Sequence, residues 1–310
     1  LPFPGLLRAA YFLLLFLFGL HWMSRSLARS AGASFKSFLQ RMTRTPWRGF
    51  LTGFLVTALL QSSSLTTVMV VSLTNAGMIT TAQGWGVIIG ANVGTTITGQ
   101  LLSFNPGRLA WLLLGAALLL ALWPHHPGLR RAAAPLGGCA LLLLGLEGMT
   151  AALSSLREAP FFSGALQCAT AAPWRGLLAG IFAAVLLQSS SAVVGIVLGL
   201  ARGGLVTLPV GVSMVIGADL GTCSTALIAA VGMKGTARRA AWFHLLFNLI
   251  SLLLALTFYP YLLQAALRSA ATLPRRLANA HLLYNLLGAA VLLPLAGPLA
   301  RLLEPDKPPS

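Results

Sequence analysis

A chain of 310 residues that is 57% hydrophobic and only 8% charged is too apolar for a soluble domain of ordinary make-up. Its net charge of +16 would suggest nucleic acid in a soluble protein, but the Lys and Arg residues fall almost wholly between apolar runs. Nucleic acid is therefore excluded, a lipid bilayer is implied, and Leu/Ala-rich stretches such as 112–122 argue against a β-barrel with alternating strands.

Apolar runs suited to a hydrocarbon core of ~30 Å recur at about 8–23, 84–102, 109–123, 136–153, 206–230, 240–260 and 277–300. The first of them has the length of a signal peptide but no small-residue cleavage site after it, so it reads as a structural helix. Two further apolar segments, about 47–73 and 174–200, each carry Gln-Ser-Ser-Ser near the middle: Gln61, Ser62, Ser63 and Ser64, then Gln188, Ser189, Ser190 and Ser191. These blocks lie within a duplication. Residues 46–98 align with 173–225 at a constant offset of 127, without a gap. About two in five positions are identical, far above chance. The segment 17–24 resembles 143–150 in the same way, pairing His21 with Glu147.

The expected architecture is an all-α polytopic membrane protein built from two repeats. Repeat 1 covers 8–123, repeat 2 covers 136–260, an additional transmembrane helix covers 277–303, and 304–310 reads as a tail or linker. A straight helix through either QSSS segment would leave its polar groups at bilayer depth. A re-entrant hairpin with QSSS at the tip would set them against protein or water. Both segments open with Pro-Trp-Arg-Gly, in which Pro suits a first helical turn and Trp and Arg suit an interface. If the hairpins do not cross, each repeat has three spans, and an odd number inverts the second copy. The larger share of Lys and Arg, including Arg25, Arg29, Lys36, Arg41, Arg44 and Arg48, then favours an outside N-terminus and a cytoplasmic C-terminus.

Downstream of each hairpin stands a second matched block, Gly90-Ala91-Asn92-Val93-Gly94-Thr95-Thr96 and Gly217-Ala218-Asp219-Leu220-Gly221-Thr222-Cys223-Ser224. Paired glycines followed by hydroxyl residues read as helices that unwind and restart, with freed carbonyls for a cation and free N–H groups for an anion. No Lys or Arg sits deep in a span, so a bound anion would rely on helix dipoles, hydroxyl donors and a co-bound cation. Asp219 is an intramembrane carboxylate, matched to Asn92, and reads as a cation ligand, a proton-linked group or a buried structural acid. His244 with Asn248 and His281 with Asn285 share His-Leu-Leu-(Phe/Tyr)-Asn, a spacing that suits hydrogen bonding between helices better than metal ligation. Cys139, Cys168 and Cys223 form no metal or redox spacing, and no disulfide is assigned.

With QSSS twice, GANVGTT and GADLGTC after it, and His-Leu-Leu-Phe-Asn late in the chain, the sequence resembles the type II sodium/phosphate cotransporters in their bacterial form. The resemblance implies a multi-pass protein of the bacterial inner membrane that carries inorganic phosphate with Na+ by alternating access. It assigns phosphate to Gln61–Ser64, Gln188–Ser191, Thr95 and Thr222. Sodium candidates are Asn92, Thr95, Thr96, Asp219, Thr222, Ser224, Ser64 and Ser191, and a homodimer is the assembly considered. Two alternatives stand beside it: a carrier of another oxyanion or small carboxylate, and an intramembrane serine enzyme. The enzyme would need a base near its nucleophile, and neither repeat places a His or Lys symmetrically beside its serines.

Overall fold

The computed structural model describes residues 3–31, 42–43, 45–104, 107–122, 127–154, 172–233 and 235–303. Among them the regular structure is helical: α1 (Phe3–Ala31), α2 (Pro46–Leu60), α3 (Ser63–Asn75), α4 (Thr81–Ser103), α5 (Gly107–Ala121), α6 (Pro127–Ser154), α7 (Pro173–Leu187), α8 (Ser190–Arg202), α9 (Leu208–Ala229), α10 (Gly235–Thr257), α11 (Tyr259–Ser269) and α12 (Leu273–Leu303). The expected linker 304–310, His125, His126 and Cys168 lie outside the described residues, while Cys139 and Cys223 are free thiols.

Five of the described helices are long and apolar enough to cross a membrane: α1, α6, α9, α10 and α12. Helices α4 and α5 satisfy the same test only as a pair, and the pair is bent by 105°. The expectation of a separate span at 109–123 is thereby corrected. Helix α5 has 15 residues, about 22 Å of rise, which falls short of a ~30 Å core. Helix α5 packs on α6, and α6 packs on α1 through close contacts of Gly138, Gly145 and Gly148 with Met23, Phe16 and Phe12.

The QSSS segments are hairpins, and the contacts of their arms show it. Along α2 and α4, Pro46 meets Gly86, Phe50 meets Gly90 and Phe54 meets Gly94, so the two helices run parallel. The chain must therefore travel back between them, and α3 is the returning arm. The second repeat is the same: Leu177 meets Gly217 and Ile181 meets Gly221, α7 runs parallel to α9, and α8 returns. Arms of 15 and 13 residues reach about 20 Å, less than a bilayer core. Pro46 occupies the first turn of α2 after Thr45, whose side chain accepts from Arg48 N at 3.3 Å.

The two halves are antiparallel, as the directions of their helices show. Along α12, Leu277 meets Gly211 and His281 to Asn285 meet Asp219, so α12 runs with α9. Against α4 the order reverses: Arg275 bonds Gln100 O and Ser103 Oγ, while His281 approaches Gly99. Helices α4 and α9 thus point in opposite directions, and so do the hairpins laid along them. Cysteines placed at Arg48 and Arg175 in a Cys-free background are expected to react with an impermeant thiol reagent from opposite faces. Labelling of both from one face would refute the inversion.

One expectation fails. Helices α4 and α9 continue through 90–98 and 217–225 without unwinding. The glycines there serve close packing instead. A Cβ on Gly90 would run into the carbonyl oxygen of Phe50, and one on Gly217 into that of Leu177. Small residues that let backbones touch are the usual way to associate helices in lipid, where burial of apolar surface offers no advantage. The break in each repeat lies at the hairpin tip.

Candidate functional site

Each tip turns on its glutamine. Gln61 and Gln188 take left-handed backbone angles, φ 55° and 52°, and are the only residues other than glycine to do so among those described. A non-glycine residue in this region is uncommon and is held there by its surroundings. The side-chain amides help: Gln61 Nε2 donates to Ala58 O, and Gln188 Nε2 donates to Val185 O at 2.7 Å, satisfying carbonyls that the ending helix leaves open. The next serine restarts the chain as a helix. Ser62 Oγ accepts from Leu65 N at 3.3 Å and Ser189 Oγ accepts from Ala192 N at 3.2 Å, so both are N-caps. Helices α3 and α8 therefore begin at the tips, and the N–H groups of Ser63, Ser64, Ser190 and Ser191 belong to first turns, which have no intrahelical acceptor.

The two tips meet. Ser64 Oγ donates to Gln188 O at 3.4 Å, from one hairpin to the other, and Ser24 Oγ of α1 donates to Gln61 O at 3.3 Å. Between them lies a cavity of about 390 Å³, lined by Gln61, Ser62 and Ser64, by Gln188 and Ser189, by Leu187 and Ala192, and by Leu17, Leu20, His21 and Ser24 of α1. The two QSSS blocks are thus brought together at one cavity. Ser63, Ser190 and Ser191 are buried in the first turns behind the tips. The first hairpin is also bridged by Thr57 Oγ1 donating to Thr66 Oγ1 at 3.0 Å; the matching positions in the second are Ala184 and Val193.

The residues of the second motif are distributed differently. Ser224 reaches the tip, accepting from Gln188 Nε2 at 3.4 Å. Thr95, Thr96 and Thr222 are buried and donate to carbonyls of their own helices, Ala91 O, Val93 O and Ala218 O, which leaves their oxygens as acceptors. Asn92 and Asp219 do not line the cavity. Asn92 Oδ1 accepts from Asn248 Nδ2 at 3.3 Å. Asp219 Oδ2 is surrounded from α12 by His281 Nε2 at 3.0 Å, Asn285 Nδ2 at 3.0 Å and the Tyr284 hydroxyl. The His-Leu-Leu-(Phe/Tyr)-Asn helices thus bind the Asn/Asp position of each half, as their spacing suggested. Sequence reasoning did not find Tyr284, Ser24 or the placing of His21 in the cavity. Only the pairing of His21 with Glu147 in matched apolar helices drew any notice to that position.

Comparison with known proteins gives a consistent picture. The Na+/Pi-cotransporter family matches residues 15–151 and again 141–273, one copy for each half. The chain is 27% identical over 292 residues to YqeW of Bacillus subtilis (strain 168), an uncharacterized protein, covering 94% of this chain and 95% of that one. It is 29% identical over 287 residues to YjbB of Escherichia coli (strain K12), whose name proposes inorganic phosphate export; 93% of this chain is covered and it spans 53% of YjbB. A stretch of 73 residues, 24% of this chain and 11% of the relative, is 36% identical to sodium-dependent phosphate transport protein 2A of Ovis aries. No solved structure matches.

Proposed function

The chain belongs to the Na+/Pi-cotransporter family, and on that premise we propose that it carries inorganic phosphate across the membrane together with sodium, by alternating access. The family is one of transporters, so the serine-enzyme alternative is set aside. The observation that carries the reading is the meeting of two helix starts from inverted hairpins at one hydroxyl- and amide-lined cavity. Helix N-termini favour anions, through unbonded N–H groups and the helix dipole together. No Lys or Arg lines that cavity, so a phosphate there needs countercharge from a co-bound cation. Candidate oxygens for sodium are those of Ser64, Ser191 and Ser224 near the tips and of Asn92, Thr95, Thr96, Thr222 and Asp219 on α4 and α9. The repeats at 8–123 and 136–260 are the units that would rock against each other, in a bacterial inner membrane with the N-terminus outside.

Phosphate affinity is expected to rise with sodium, and phosphate must raise sodium affinity by the same factor. Calorimetric phosphate binding unchanged when choline replaces sodium would remove the coupling. Ser64→Ala and Ser189→Ala, at serines that line the cavity, are each expected to weaken phosphate binding by on the order of 1–3 kcal/mol, the loss of one hydrogen-bond partner in the site. Exposed Ser154 is the control position. Uptake into proteoliposomes that is equal in all three Ala variants would make the QSSS blocks packing elements. Competition by sulfate or a small carboxylate as strong as by phosphate would favour a broader anion carrier.

A further inference from the structure

The geometry points to His21 as a third substrate contact, supplied by α1 from outside both QSSS hairpins, with its imidazole taking an oxygen of the bound phosphate. This rests on the reading of the tip cavity as the phosphate site. Leu17, Leu20, His21 and Ser24 fall at i, i+3, i+4 and i+7, one face of α1, and all four line the cavity. Helix α1 is fixed against both hairpins: Ser24 bonds the Gln61 carbonyl of the first, and Phe16 lies against Gly195 of the second. The face carrying His21 is thereby held toward the tips.

A histidine in the interior of a long apolar helix is costly in hydrocarbon and belongs against a polar cavity or a partner. His21 is exposed and opens into the cavity, unlike His244 and His281, which are buried between helices. Its counterpart in the other repeat, Glu147, has no equivalent place. Next to it Gly148 packs on Phe12, about two and a half turns along α1 from His21. The symmetric tips supply hydroxyls, amides and backbone N–H groups, whereas α1 supplies, on one side only, the single lining side chain able to carry positive charge. An anion in this cavity therefore meets an asymmetric donor.

The test uses the full chain in two ways. In detergent with sodium, His21 is modified with diethylpyrocarbonate and its peptide is quantified by mass spectrometry. Saturating phosphate is expected to slow modification of His21 about fivefold or more, as a contact blocked by an occupied site requires, while chloride at equal ionic strength leaves it unchanged. In proteoliposomes, His21→Ala is expected to raise the phosphate KM about tenfold, the loss of one hydrogen bond to a charged partner. His21→Gln, which keeps an N–H donor, should recover part of that loss, and Ser30→Ala, outside the cavity on the same helix, should leave KM unchanged. A modification rate indifferent to phosphate, or an Ala variant with a KM within twofold of the parent, overturns the assignment while Ser64→Ala and Ser189→Ala still weaken binding. If those tip variants are also silent, the reading of the cavity itself has failed and His21 falls with it.

Discussion

Gly90→Ala and Gly217→Ala are expected to cut phosphate uptake by about tenfold or more and to lower the melting temperature of the purified protein by several degrees. Both glycines sit where a parallel hairpin arm lies against its scaffold helix, and an added Cβ would meet a backbone carbonyl oxygen of Phe50 or Leu177. A flexible side chain could move aside, but a carbonyl inside a helix cannot. The arm must shift as a body, taking its QSSS tip with it. Overpacking typically costs 1–3 kcal/mol, and a rigid obstacle belongs at or above the upper end. Gly115→Ala is the control: nothing lies within 4 Å of a Cβ there, and alanine raises helix propensity. Wild-type melting and uptake in Gly90→Ala would mean that α2 and α4 are not in contact.

Removal of the Asp219 carboxylate is the second large effect. Asp219→Ala leaves His281, Tyr284 and Asn285 aimed at a vacated acceptor in a buried site. Stranding a buried donor costs on the order of 1–3 kcal/mol, and three are stranded here, so the loss is a large share of an ordinary folding free energy. Asp219→Asn keeps one acceptor oxygen and restores the residue found at position 92, so it should fold with a smaller loss. Tyr284→Phe removes a single donor and should cost about 1–2 kcal/mol. The sodium dependence of uptake in Asp219→Asn then separates two roles. A weakened dependence supports cation ligation as an added task. An unchanged one, with lowered stability, leaves Asp219 as the anchor of α12. A fully stable Asp219→Ala would contradict the bonding described above.

Much of this was readable before any coordinates. The duplication and the polar centre of a long apolar segment led to paired hairpins, because polar groups at bilayer depth admit few solutions. The crossing count that inverted them leaned on a span at 109–123 that α5 does not make alone, and the opposed directions of α4 and α9 carry the inversion instead. The position of the helix break was not readable from Gly90, Gly94, Gly217 and Gly221. Glycine serves equally where a helix unwinds and where two backbones touch, and only the presence of α2 or α7 alongside decides between them. The hairpin tips were expected at QSSS, but the residue that makes each turn was not legible there. A glutamine in the left-handed region carries no compositional signature, since its amide bonds, not its backbone propensity, hold it there. Tyr284 and His21 depend on α12 and α1 lying against the repeats, contacts between residues far apart in sequence that periodicity within one segment cannot report.

The two His-Leu-Leu-(Phe/Tyr)-Asn helices set an order on biogenesis. Asn92 of the first half is completed by Asn248, 156 residues later in the chain, and Asp219 of the second half by residues 62 to 66 positions further on. During synthesis the first half must therefore wait in the membrane with the Asn92 amide oxygen unmet, its Nδ2 already bonded to Ile88 O, until most of the second has been inserted. The second half in turn waits for α12. Neither half is a free-standing module, and a polypeptide stopped at residue 154 would present Asn92 to lipid or to the insertion machinery. Assembly of the two halves is completed only when α12 arrives.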